Sequence, residues 1–114
     1  MLRSIPRFRH PDLLASGFFS NFEGPFGLVP VQLVGNLTTG EYVYFRARMR
    51  KASLTIFESE EAWLTSDNAI ATFEKTYDIE DDIGIGCMDA DEAATLVSQW
   101  LTLYRSGVTQ ASCQ

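Results

Sequence analysis

Asp78, Glu80 and Asp82 alternate through the segment Asp78-Ile79-Glu80-Asp81-Asp82-Ile83-Gly84, placing carboxylate oxygens at the first, third and fifth positions of a calcium-type loop. The rest of that chemistry is missing. The sharp turn needs a glycine at the next position, which is Ile83, and the closing bidentate glutamate falls at Asp89. The segment therefore reads as a solvated acidic loop and no metal is expected. His10 is the sole histidine. It stands between Arg9 and Pro11, so any nucleophile–histidine–acid triad has to be built on it. The plainer reading is a solvated loop histidine, and no catalytic residue is assigned. Gly84-Ile85-Gly86 lacks the third glycine of a phosphate-cradling loop, and no cofactor is expected. Cys87 and Cys113 have neither a metal-ligand nor a redox spacing and are expected to be free thiols.

The most chemically loaded surface comes from Tyr42, Tyr44, Arg46, Arg48 and Phe57. Aromatics beside arginines on one sheet face resemble, in residue type, a stacking platform for nucleic-acid bases. Such residues also dominate protein-partner hot spots. The plainer expectation is that a Phe-rich N-terminal arm covers this face, with Arg46 and Arg48 paired to acids of the C-terminal half.

Charge divides the chain. Residues 1–51 carry seven cations against three acids, a net of +4, whereas residues 52–114 carry two cations against twelve acids, a net of −10. The acids crowd at Glu74, Asp78, Glu80, Asp81, Asp82, Asp89, Asp91 and Glu92, with only Lys75 among them. A whole-chain charge of −6 argues against a general nucleic-acid binder. A dense acidic surface repels anionic membranes and steers basic partners in. No apolar run approaches the length of a membrane helix. Pro6, Arg7, Arg9, His10 and Pro11 interrupt any signal-peptide apolar region, so a cytoplasmic location is expected.

A chain of 114 residues, 46% hydrophobic, fits a single domain with its own core. The predicted fold is α+β: a three- to four-stranded antiparallel meander with a C-terminal amphipathic helix packed on one face. Residues 1–27 are punctuated by Pro and Gly and read as an irregular arm rich in Phe, with Asp12 to Phe19 suited to a short helix. Leu28 to Leu37 is the first strand, with Pro30 marking it as an edge. Thr38-Thr39-Gly40 is a three-residue turn with Gly40 in the left-handed position. Tyr42 to Met49 is the second strand, Arg50-Lys51 the next turn and Ala52 to Phe57 the third strand.

The first turn pairs Leu33 with Phe45 and Val31 with Ala47. The second pairs Ala47 with Leu54 and Phe45 with Ile56. One face then holds Val29, Val31, Leu33, Val43, Phe45, Ala47, Met49, Leu54 and Ile56. Slipping either turn by one residue would set polar side chains against that core. Glu58 to Leu64 suits a short helix anchored by Trp63, and Ala69 to Tyr77 suits a strand or a helix. Asp89 caps the last helix, with Glu92 three residues on and a stripe of Ala93, Leu96, Val97, Trp100, Leu101 and Tyr104. The tail from Val108 onward is expected to fray.

Tyr44-Phe45-Arg46-Ala47-Arg48, followed by Ser53-Leu54-Thr55-Ile56, resembles a hairpin of small uncharacterised bacterial proteins, which carry an aromatic where Ala52 stands here. A small acidic α+β domain without a catalytic signature is similar in type to the immunity proteins of bacterial toxin systems. That resemblance implies a non-enzymatic protein that caps a basic toxin, often a nuclease. Glu74, Tyr77, Asp78, Glu80, Asp81, Asp82 and Asp89 would form the contact, the carboxylates for fast capture and Tyr77 as anchor. Two other readings use the same residues differently. One is a phage or mobile-element nucleic-acid mimic built on the acids. The other is a small ligand-binding protein or enzyme using Tyr42, Tyr44, Arg46, Arg48 and Phe57.

Overall fold

A computed structural model describes residues 10–26, 31–48, 51–65, 68–76 and 90–113. In chain order the elements are α1 (Pro11–Ser16), β1 (Phe19–Phe26), β2 (Val31–Leu37), β3 (Tyr42–Arg48), β4 (Lys51–Phe57), α2 (Glu60–Leu64), β5 (Ala71–Thr76), α3 (Ala90–Arg105) and β6 (Gln110–Cys113). The strands form one sheet in sequential order. β1 to β5 are antiparallel, and β6 joins β5 in parallel. The fold is α+β, with a longer meander than the three to four strands expected.

The β2–β3 hairpin forms as its sequence dictates. Leu33 pairs with Phe45 and Val31 with Ala47. The connection is Thr38-Thr39-Gly40, with Gly40 at a φ of +105° that a side chain would strain. The β3–β4 register is displaced by two residues from expectation. Phe45 faces Leu54, Ala47 faces Ala52 and Arg48 faces Lys51. Lys51 is thus a strand residue, not part of the turn in which it was expected. A two-residue slip leaves every side chain on its expected face, so alternation alone does not resolve it. Val31, Leu33, Val43, Phe45, Ala47, Leu54 and Ile56 are all buried on one face. Val29 and Met49 lie outside the described residues.

That face receives α3. Ala93, Ala94, Leu96, Val97, Trp100 and Leu101 are its buried stripe. The Trp100 ring lies 6.4 Å from Phe45 and 6.2 Å from Phe73, contacts that add to the area the indole removes from water. Asp91 and Glu92 lie in the first turn and Arg105 in the last, the arrangement the helix dipole favours. The expected Asp89 cap lies outside the described residues.

Three expectations are corrected. Residues 19–26 are a strand, β1, although Gly24 and Pro25 break its alternation. It is the bulged edge of the sheet, so β2 is an inner strand. Edge strands tolerate proline because one side of the backbone has no ladder to feed. Residues 110–113 are not frayed, because they pair with the outer edge of β5, whose N–H and C=O groups need partners. Finally, the described arm does not cross the Tyr/Arg face. Leu13 and Phe22 join the core cluster with α3, and Phe18 packs beneath the Arg105 guanidinium at 4.5 Å.

Candidate functional site

The opposite face of the sheet carries Gln32, Val34 and Asn36 from β2, Tyr42, Tyr44 and Arg46 from β3, and Ser53, Thr55 and Phe57 from β4. α2 lies across one end of it. Ser59 caps this helix, its hydroxyl oxygen accepting from the Ala62 N–H at 3.1 Å. That cap sets Trp63 over the sheet, 4.8 Å from the Tyr42 ring and 5.7 Å from Tyr44. Trp63 is the anchor the sequence indicated. Tyr42 is only 5% exposed yet lies outside the core cluster, so the cover is α2 rather than the core.

Beside Tyr42 is an open groove of about 430 Å³, lined by Asn21, Phe22, Glu23, Val34, Gly35, Asn36, Tyr42 and Glu60. It exists because β1, β2 and β3 present their outward side chains on one wall while the first residue of α2 supplies the other. Burial, together with the Glu60 and Glu23 carboxylates, pushes the Tyr42 phenol up to about 12. The phenol is therefore neutral at ordinary pH. Further along β3, Arg46 Nε is buried without a hydrogen-bond partner, and Arg46 forms no ion pair with a described residue. The expected pairing of Arg46 with acids of the C-terminal half is absent among the described residues. The Arg48 side chain lies outside the description. Tyr44 donates weakly to Gln32 Oε1 at 3.4 Å.

His10 is not a solvated loop residue. It is 4% exposed and serves as the N-cap of α1. Its Nδ1 accepts from the Asp12 N–H at 3.2 Å, so Nε2 carries the proton and donates to Asp91 Oδ1 at 2.6 Å. One ring nitrogen closes α1 and the other ties α1 to the start of α3. A general base needs a ring nitrogen directed at a reacting group, and both nitrogens here are committed to structure.

A second polar tie joins the β2–β3 turn to α3. Tyr104 donates to Glu41 Oε2 at 2.6 Å, and the Thr39 hydroxyl donates to Glu41 Oε1. Burial pulls the Glu41 carboxyl up, but these bonds and the nearby Arg105 charge outweigh it and hold it below its ordinary value. Burial and the bond to Glu41 push Tyr104 up to about 12.

Of the acids expected to meet a partner, Glu74 lies on β5, where its carboxylate pairs with Lys51 Nζ at 3.1 Å. Tyr77, Asp78, Glu80, Asp81, Asp82 and Asp89 lie outside the described residues, as do the calcium-like loop, Gly84-Ile85-Gly86 and Cys87. Among the described residues no three metal-ligating side chains converge, and no helix is long and apolar enough to cross a membrane. Sequence reasoning placed Tyr42 on the outer face but missed the groove. Asn21 and Glu23 reach it only through the bulged β1, and no alternation signal marks that strand. Comparisons with protein-family models, curated proteins and solved structures return no match.

Proposed function

We propose that the chain is a non-enzymatic protein-binding module of the immunity or inhibitor kind, which neutralises a basic bacterial toxin in the cytoplasm through its acidic surface. The observation that carries this reading is the net charge of −10 over residues 52–114. Glu58, Glu60, Glu61, Asp91 and Glu92 are exposed members of that set, displayed on α2, the segment before it and the start of α3. Such a surface accelerates encounter with a basic partner and disfavours anionic ones. Co-purification of the tagged protein at low salt tests the reading. One basic protein retained at low salt and released at high salt is the expected result. Retention of nucleic-acid-binding proteins would instead identify a nucleic-acid mimic.

A second reading, a small-ligand binder on the Tyr/Arg face, is favoured by the unpartnered Arg46 Nε. A buried charge-bearing donor without an acceptor is costly, and an anionic ligand would supply one. A thermal-shift screen of small carboxylates and phosphates checks it. A rise in Tm that disappears in Arg46→Met supports the ligand reading, and no rise from any compound removes it.

A further inference from the structure

α2 turns one side to the sheet and the other to solvent. Ala62 is buried and Trp63 stacks on Tyr42, whereas Glu60, Glu61 and Leu64 are exposed. Leu64 stands four residues after Glu60 and three after Glu61, so all three share the outer face of the helix, about one turn apart. Leu64 is 67% exposed, more than any other large hydrophobic side chain among the described residues. Ile70, 45% exposed, belongs to the same end of the sheet. Its N–H donates to the Ile56 carbonyl at 2.7 Å, which ties it to the end of β4, from which α2 follows. A lone exposed leucine needs no explanation, but here two large apolar side chains stand at one end of the sheet. The charge around them has one sign. Residues 52–74 contain no lysine, arginine or histidine, and Glu58, Glu60 and Glu61 are exposed there. An apolar centre with a charged rim is the anatomy of a protein contact.

The charge also selects the occupant. A two-fold contact sets the same patch on both sides, so a second copy would bring Glu60 and Glu61 against their own counterparts. An anionic membrane surface is repelled. A basic protein surface with an apolar side chain between its cations satisfies both features. We infer that the outer face of α2, continued by Ile70, docks the basic protein partner through an apolar side chain flanked by lysine or arginine. That side chain covers Leu64 and Ile70, and its flanking cations meet Glu58, Glu60 and Glu61. This inference rests on the protein-binding reading above, and it gives that reading a site outside residues 77–89. The acids govern capture, and the two apolar side chains govern how long the complex lasts.

The first test uses a labelled peptide of alternating lysine and leucine, and its counterpart with serine in place of leucine, followed by fluorescence anisotropy at low salt. Both peptides carry the same charge, so attraction to acids elsewhere on the chain is common to both. The leucine peptide should bind the parent chain several-fold more tightly. That preference should disappear in Leu64→Ser/Ile70→Thr and persist in Leu14→Ser/Leu103→Ser, which removes exposed leucines from α1 and α3 on the other side of the sheet. All four positions are exposed, and matching urea midpoints check that the variants fold. No preference in the parent chain, or one that survives in Leu64→Ser/Ile70→Thr, would overturn the inference. The second test follows association and dissociation of the co-purified partner. Leu64→Ser/Ile70→Thr should dissociate about tenfold faster or more with association nearly unchanged, and Glu60→Gln/Glu61→Gln should associate several-fold more slowly. A basic partner that binds Leu64→Ser/Ile70→Thr as tightly as the parent chain sinks this docking surface and leaves the protein-binding reading standing. A dimer of the parent chain that Leu64→Ser abolishes would make a second copy the occupant and overturn the inference. The absence of any basic partner removes both the surface and the reading.

Discussion

Gly35 of β2 faces β1 with no room for a side chain. A Cβ there would lie 2.5 Å from Phe22 Cβ and 2.7 Å from the Asn21 carbonyl oxygen, and both of those atoms belong to the bulged β1. Neither neighbour is the free end of a flexible chain, so Gly35→Ala must push the edge strand away. The expected cost is about 2 kcal/mol or more, read as a lower urea midpoint with an unchanged slope. A midpoint equal to that of the parent chain would show that β1 yields freely. Glu41 and Tyr104 form the second residue-scale test. The carboxyl of Glu41 is held below its ordinary value, so its contribution is present above the usual carboxylate range and is lost as pH falls through the folded value. Tyr104, raised to about 12, contributes below its ordinary value near 10 and loses that contribution as pH rises through about 12. Tyr104→Phe removes one bond to the carboxylate. Its Glu41 should titrate at higher pH by carboxyl NMR, and its stability deficit should narrow on acidification. A Glu41 titration unmoved by the substitution would mean that Thr39 and the local backbone suffice.

At the scale of elements, strong periodicity was legible and weak periodicity was not. The stripe from Ala93 to Leu101 defined α3, and two alternating strands around Thr38-Thr39-Gly40 defined β2, β3 and their register. The β3–β4 slip shows the limit of that signal. Alternation fixes the face of a side chain but not which of two same-face registers is adopted. β1 was hidden because Gly24 and Pro25 interrupt it, and its pairing with β2 jumps at two places. β6 was hidden because Gln110-Ala111-Ser112-Cys113 has little sheet propensity of its own. Its conformation comes from the open edge of β5. His10 was read by its polar neighbours, whereas its burial is set by Gly24 and Asp91, which lie 14 and 81 residues away in sequence. The groove shared that fate, since its walls come from β1, β2, β3 and α2. The β6 account makes a direct prediction. The Thr72 N–H donates to the Thr109 carbonyl at 2.9 Å, and Val108 packs partly against the core. A chain ending at Gly107 should lose hydrogen-exchange protection at Thr72 while the Phe45 amide in central β3 keeps it. Equal protection at Thr72 in both chains would show that the β5 edge does not depend on β6.

Across the whole molecule, the sheet divides two environments. α1 and α3 close the core on one side, tied by His10 to Asp91 and by Tyr104 to Glu41. The other side carries α2, the aromatic residues and the acceptor-lined groove, with Arg46 further along β3. The exposed acids lie on both sides, so the field they create belongs to the molecule rather than to one loop. That field is what would draw a basic partner in before any specific contact forms. It extends only about a Debye length and shrinks with added salt. The most direct test is stopped-flow association of the chain with its co-purified basic partner over a range of ionic strength. The association rate should fall by about tenfold or more from low to high salt, with a much smaller change in dissociation. An association rate that stays flat across that range would contradict it.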